Sequence, residues 1–335
     1  MDDGLMQVAT VEGGDDAATI TDRCNEISIA TGRMGLVNPL DLYAQLLSFL
    51  RTNPHVSVVP LGNILDTPAQ GKISVALRHD IDADIVTAIS CARALANAAL
   101  PGSFYLLHTA HYYGAVSAVG ANGGELTRHS GLKYFLEQLK ETGVEIGLHN
   151  DALGLAIDHG IDGCQVLRDE IDWLRQQGVE IKSTVAHNSA AIYEAECFEV
   201  FRGLAVGGRE FFKKNGRIIS LQRLDQQELG LEYEANFPRP RPTLDGERLK
   251  SLAVKGEGNP LHSPSWLRQY FIDHPIFTRE YDYDVWLVGK DLWLLAGRGA
   301  LRYPLTFDQL AMEMGSLSAG SRVVVSIHPI YVSQR

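Results

Sequence analysis

The run Arg78-His79-Asp80-Ile81-Asp82 brings two carboxylates and an imidazole close together in the chain. Held near one another, such groups repel unless a cation or a proton relay offsets the charge, so the pattern points to a metal or acid–base site. The competing reading is a capped helix start, with Asp82 or Asp84 as the N-cap of the helix that follows. Other β-type runs also terminate in histidine: Ser103 to His108, Val144 to His149, Val179 to His187, and Arg322 to His328. One histidine at a strand end is ordinary. Several at the same end of successive parallel strands converge on one rim, where α/β sheets and barrels keep their sites. Strand alternation sets Arg78 and Asp80 on one face and His79 on the other, where it reads as packed or hydrogen-bonded. His108 and His111 could share a helical face, or could belong with Tyr112 and Tyr113 to a loop lining a substrate. His55, His129, His159, His262 and His274 carry no motif and read as surface residues.

The elements that must carry these residues follow from hydrophobic periodicity. Strands are expected at 73–78, 103–108, 144–149 and 181–187, with helices at 85–98, 130–141 and 163–177 between them. Alternation of this kind implies βα units and parallel pairing. Ahead of them, 39–50 has apolar residues at helical spacing, and Val56 to Val59 is a short strand stopped by Pro60. Residues 1–20, acidic and rich in Gly and Ala, are expected to be a mobile tail, and 21–335 a single domain. The rhythm breaks over about 193–300, read as an irregular excursion. Within it, 283–295 looks like a hairpin turning at Gly289-Lys290-Asp291, and Arg209 to Arg217 reads as a solvated loop face. A helix at 306–314 and a strand at 322–327 close the domain.

With 335 residues, 45% apolar and 21% charged, the chain is long enough to bury a substantial core. Its net charge of −11, with no basic stripe, argues against a nucleic-acid partner. Cys24, Cys91, Cys164 and Cys197 are too scattered for a metal-binding pair and suit a reducing compartment. The acidic start Met1-Asp2-Asp3-Gly4 lacks a secretory pattern, and no apolar run reaches membrane-spanning length. A cytoplasmic location is therefore expected.

With Arg78-His79-Asp80-Ile81-Asp82, Glu145 to His149 and Ile327-His328-Pro329 in this order on successive strands, the chain resembles the polysaccharide deacetylase (NodB-homology) superfamily. Within it the nearest likeness is the divergent His-Asp-x-Asp branch associated with surface-polysaccharide biosynthesis. The resemblance covers roughly 70–190 and the C-terminal dozen residues. It implies a distorted, incomplete (β/α) barrel, one divalent metal with Zn2+ the first candidate, and removal of an acyl group from an N-acetylated sugar by metal-bound water. Position by position, Asp80 matches the family's catalytic base, Asp82 and His149 match metal ligands, and His328 matches the general acid. The family's second ligating histidine falls at Leu153, which cannot ligate. His187, His108 and His111 are the candidates for the missing ligand. His187 ends the strand expected beside that of His149, and Asn188 could support it. The family's arginine motif is not recognisable, and Arg78 is the residue placed to orient Asp80.

Amide hydrolysis at neutral pH needs an activated nucleophile, a stabilised oxyanion and a proton for the leaving amine, roles these residues can fill. The substrate would be a small molecule or carbohydrate, and the missing secretory pattern favours a nucleotide- or lipid-linked sugar precursor. Two alternatives stand beside this: a catalytically silent member acting as a binding or assembly module, and a metal site for another reaction such as cyclic amide hydrolysis. Trp266, Trp286 and Trp293 could stack on sugars or pack in the core.

Overall fold

Each histidine-bearing run becomes a parallel strand, and the helices between them cover the sheet. In the computed structural model, the described residues are 39–64, 66, 71–118, 124–187, 195, 197–204, 208–235, 284–288, 294–296, 300–302, 311–312, 314–315 and 317–333. The expected tail at 1–20, Asn188 and most of the helix expected at 306–314 lie outside them, as do His262, His274, Trp266, Trp293 and the Trp286 side chain.

Helix α1 (Pro39–Thr52) buries Tyr43, Leu46, Leu47 and Leu50, the helical stripe anticipated there. Strand β1 (Val56–Val58) pairs with the start of β2 (Ile73–Ile81), a nearly continuous buried run. Asp84, not Asp82, caps α2 (Ile85–Ala98): its Oδ1 accepts the Thr87 backbone N–H at 2.9 Å. That leaves Asp82 free for other work. After β3 (Ser103–Leu107) comes an unexpected hairpin, β4 (Gly114–Ala118) and β5 (Gly124–Arg128). Arg128 ties it to the next layer, donating from Nε and Nη2 to the buried Glu170 carboxylate at 2.8 and 2.7 Å. Helix α3 (Leu132–Glu141), β6 (Glu145–Asn150), α4 (Gly163–Gln176) and β7 (Ser183–Ala186) then follow the predicted alternation closely.

The remainder departs from the sequence-based expectation. Arg209 to Arg217 is largely solvent-exposed as expected, but it is a hairpin and not a loop. Most of it belongs to β8 (Phe211–Lys214) and β9 (Arg217–Ser220), which turn through Asn215-Gly216 with φ of 49° and 74°. Two successive positive φ values are what a tight hairpin turn requires, and Asn-Gly is the dipeptide that adopts them most readily. The excursion also supplies both outer strands of the main sheet, β10 (Tyr233–Glu234) beside β7 and β11 (Asp284–Val288) beside β14 (Arg322–Ile327). The halves of the hairpin expected at 283–295 pair elsewhere, because β12 (Leu294–Ala296) joins β13 (Ala300–Arg302). A short helix, α5 (Pro329–Ser333), ends the described chain.

The main sheet runs β10-β7-β6-β3-β2-β14-β11, with β1 also on β2, and every pairing is parallel. Six of its strands curl through 195° into an open half-barrel with helices alongside, so the fold is a distorted, incomplete (β/α) barrel. No helix among the described residues is long and apolar enough to cross a membrane.

Candidate metal centre

Register decides which side chains share the concave face. Asp80 lies opposite Tyr105 on β3, Tyr105 opposite Gly147 on β6, and one layer higher Leu107 opposite His149 and His149 opposite Val185 on β7. Residues paired across neighbouring parallel strands point the same way, so Asp80 and His149 face one space at the carboxyl rim. Gly147 makes the floor possible. A Cβ there would meet Tyr105 Cε1 at 2.4 Å and the Ser183 carbonyl oxygen at 2.9 Å. Without one, Tyr105 crosses β6 and bonds Ser183 Oγ at 2.8 Å. Glu145 accepts from Ser103 and Ser183 at 3.1 and 2.9 Å and also from Tyr233, completing a polar floor.

Above that floor, Asp82, His149 and His187 each offer a donor atom, all within 4.8 Å of one another. His149 Nδ1 lies 3.0 Å from the Val185 carbonyl oxygen, which can only accept. Nδ1 therefore carries a proton and Nε2 is the nitrogen turned inward. Nε2 lies 3.4 Å from Asp82 Oδ1, which makes no hydrogen bond among the described residues. A lone pair facing a carboxylate oxygen is favourable only with a proton or a cation between them. Donors about 2.0–2.2 Å from a tetrahedral ion sit roughly 3.3–3.6 Å apart, so this spacing fits a divalent metal. Two imidazoles and one carboxylate are a donor set suited to one such ion. The His187 ring stands edge-on to that of His149, with centroids 5.0 Å apart.

Two candidate proton-transfer groups flank the cluster. Asp80 is buried, and its Oδ2 accepts from Arg78 Nη2 at 3.0 Å and from Ser326 Oγ at 3.4 Å. Its Oδ1 makes no hydrogen bond among the described residues, leaving a lone pair available. His328 Nε2 lies 3.6 Å from Asp82 Oδ2 and 3.9 Å from Asp80 Oδ2. Burial opposes ionisation of Asp80, yet Arg78, His149 and His328 outweigh it and hold its pKa below the ordinary carboxylate value. Asp82 follows the same logic: burial is overcome by His328, His149 and His187, and its pKa is held low. Burial lowers the pKa of His149, but Asp82 and Asp80 prevail and raise it.

The remaining expected site residues divide. Arg78 touches Asp80 as anticipated and also donates to Ser326 Oγ at 3.0 Å. His108 does not join the cluster: it is fully buried, and its Nε2 accepts the Asp151 backbone N–H at 2.8 Å. His111 is exposed and belongs to no donor group. Tyr112 and Tyr113 are structural rather than lining. Tyr112 OH bridges Ile81 O and Leu107 N–H at 2.8 Å each, and Tyr113 OH donates to Glu170 at 2.6 Å. His79 is packed as expected, while His55, His129 and His159 are exposed. Leu153 is buried in a short helical turn, Ala152–Gly154. It lines a cavity of about 760 Å³ with Arg217 and Arg223, to which Asp80, Asp82, His149, His187 and His328 do not contribute.

Sequence reasoning missed Ser326, whose hydroxyl touches both Arg78 and Asp80. Ser326 had a signal: a lone hydroxyl in the run Val323-Val324-Val325-Ser326-Ile327, two residues before His328 and so on its face. The cluster at the rim of a curled parallel half-barrel resembles the active-site architecture of polysaccharide deacetylases. No family model matches the chain, and no curated protein or solved structure matches it.

Proposed function

We propose that this protein is a metal-dependent amide hydrolase that removes an acyl group, acetyl first among candidates, from an N-acylated sugar or sugar precursor. The observation that carries this reading is the facing pair of His149 Nε2 and Asp82 Oδ1 at 3.4 Å, with His187 completing the donor set. Asp82, His149 and His187 would hold one divalent ion, Zn2+ being the best fit to two nitrogens and one oxygen. Such an ion supplies Lewis acidity toward the acyl carbonyl and lowers the pKa of water at the site. Asp80, kept ionised by Arg78, accepts the proton of the attacking water through Oδ1. His328, within 4 Å of both Asp80 and Asp82, is the group that would hand a proton to the departing sugar amine. The reading as a silent binding module drew its support from Leu153. His187, within reach of Asp82 and His149, weakens that support.

The test combines elemental mass spectrometry with release of acetate from N-acetylated free, nucleotide-linked and lipid-linked sugars. Near one equivalent of metal is expected in the wild type, lost in Asp82→Ala, His149→Ala and His187→Ala. Asp80→Asn should keep its metal and lose about 10²–10⁴-fold in turnover. A reconstituted wild type without metal, or an Asp80→Asn variant as active as wild type, would overturn the proposal.

A further inference from the structure

His187 stands one residue beyond β7, and its backbone N–H bonds the Asn150 carbonyl at 2.9 Å. What faces the ring is Asp151, a buried carboxylate outside the donor cluster and outside the Asp80–His328 pair. Asp151 Oδ2 lies 3.6 Å from His187 Nδ1 and accepts Thr109 Oγ1–H at 3.0 Å. The Asp151 backbone N–H donates to His108 Nε2 at 2.8 Å, which places the His108 proton on Nδ1. Gly154 closes in from the other side, at a point where a Cβ would meet Asp151 Oδ1 at 2.4 Å. The segments after β3 and β6 thus converge on one carboxylate whose reach ends at a ring nitrogen of the cluster. A carboxylate facing Nδ1 keeps the imidazole proton there and leaves Nε2 as the lone pair.

We propose that Asp151 is a positioning residue for the metal centre: through His187 it sets the ring's tautomer and direction, with Thr109 and His108 fixing Asp151 in turn. This rests on the metal reading given above and extends it to a ligand just beyond the end of its strand.

The experiment measures zinc and cobalt affinity by chelator competition, and the visible absorption of the cobalt-loaded protein. It compares wild type with Asp151→Ala, Asp151→Asn, Thr109→Val and, as reference, Asp82→Ala. Asp151→Ala should bind zinc about 10–100-fold more weakly and give altered cobalt bands. Asp151→Asn, which keeps an oxygen acceptor, should fall between it and wild type, and Thr109→Val should show a smaller loss in the same direction. Melting of the metal-free variants separates these effects from loss of fold. Wild-type affinity and cobalt bands in Asp151→Ala, with binding lost in Asp82→Ala, would overturn this inference and leave the metal reading intact. Absence of zinc and cobalt binding in the wild type would overturn both. Should Asp151→Ala not fold, wild-type affinity in both Asp151→Asn and Thr109→Val would overturn the inference equally.

Discussion

Arg78 Nη2 serves two acceptors at once, Asp80 Oδ2 and Ser326 Oγ, each at 3.0 Å. Ser326 is paired with Arg78 across β14 and β2, and Asp80 stands one layer higher on the same face of β2. The guanidinium is 12% exposed and the carboxylate 3%, so water screens the pair weakly. Removing one partner from such a pair strands the other charge in a low-dielectric setting. Arg78→Met should therefore lose about 3–5 kcal/mol of stability in urea unfolding. Adding Asp80→Asn, which removes the stranded charge, should recover most of that loss. A single variant as stable as wild type would show that the pair carries no structural load.

Between elements, the relation of His149 to His187 depends on β6 and β7 being paired with His149 opposite Val185. That register is a tertiary fact, and no local pattern in the chain encodes it. This is why the strands and their terminal histidines were legible as apolar runs ending in His, while the choice among His187, His108 and His111 was not. His108 ends a strand as the others do, but it is committed to the Asp151 backbone. The β8–β9 hairpin is legible in Asn215-Gly216, although the basic residues around that pair also suit a charged loop. Strands β10 and β11 were not legible, because a two-residue strand has no periodicity and β11 was assigned to a local hairpin. Leu153 belongs here too. It faces the cavity beside Arg217, which the cluster residues do not line. Adding Leu153→His to a His187→Ala variant, which recreates the family spacing, should therefore not restore metal, as read by elemental analysis. Recovery of a full equivalent would mean the helical turn can rotate its second position into the site.

At the scale of the whole molecule, one buried histidine couples folding to pH. His79 joins the sheet to α1: Nδ1–H donates to the Ser103 carbonyl at 3.2 Å, and Nε2 accepts from Tyr43 O–H at 2.9 Å. Its ring stacks on Phe104 with centroids 4.0 Å apart. Both nitrogens are satisfied by the neutral ring alone, and burial pushes its pKa down to about 4. The folded pKa lies below the unfolded one, so the unfolded chain takes up the proton first as pH falls. Stability from this group is fully present above pH about 6.5 and drains away toward pH about 4, by about 3 kcal/mol at about 1.4 kcal/mol per unit. His79→Gln should make the metal-free stability profile shallower across that window, with His108, also held at about 4 by burial, supplying part of the slope that is left; urea titration at successive pH values measures it, and an unchanged slope would remove His79 from the account. His149, whose pKa is raised, acts with the opposite sign and at higher pH: its contribution is lost as pH rises through the folded value. The open half-barrel has one more consequence. Asp82, His149 and His187 leave three different strands, and β3 lies between the first two. No short stretch of chain can assemble the donor set, so an ion finds its full coordination only after four strands have found their neighbours. Under the metal reading, capture would be a late event, a latch closing on a finished structure, and its effect would fall on how slowly the fold is lost rather than on how fast it is made.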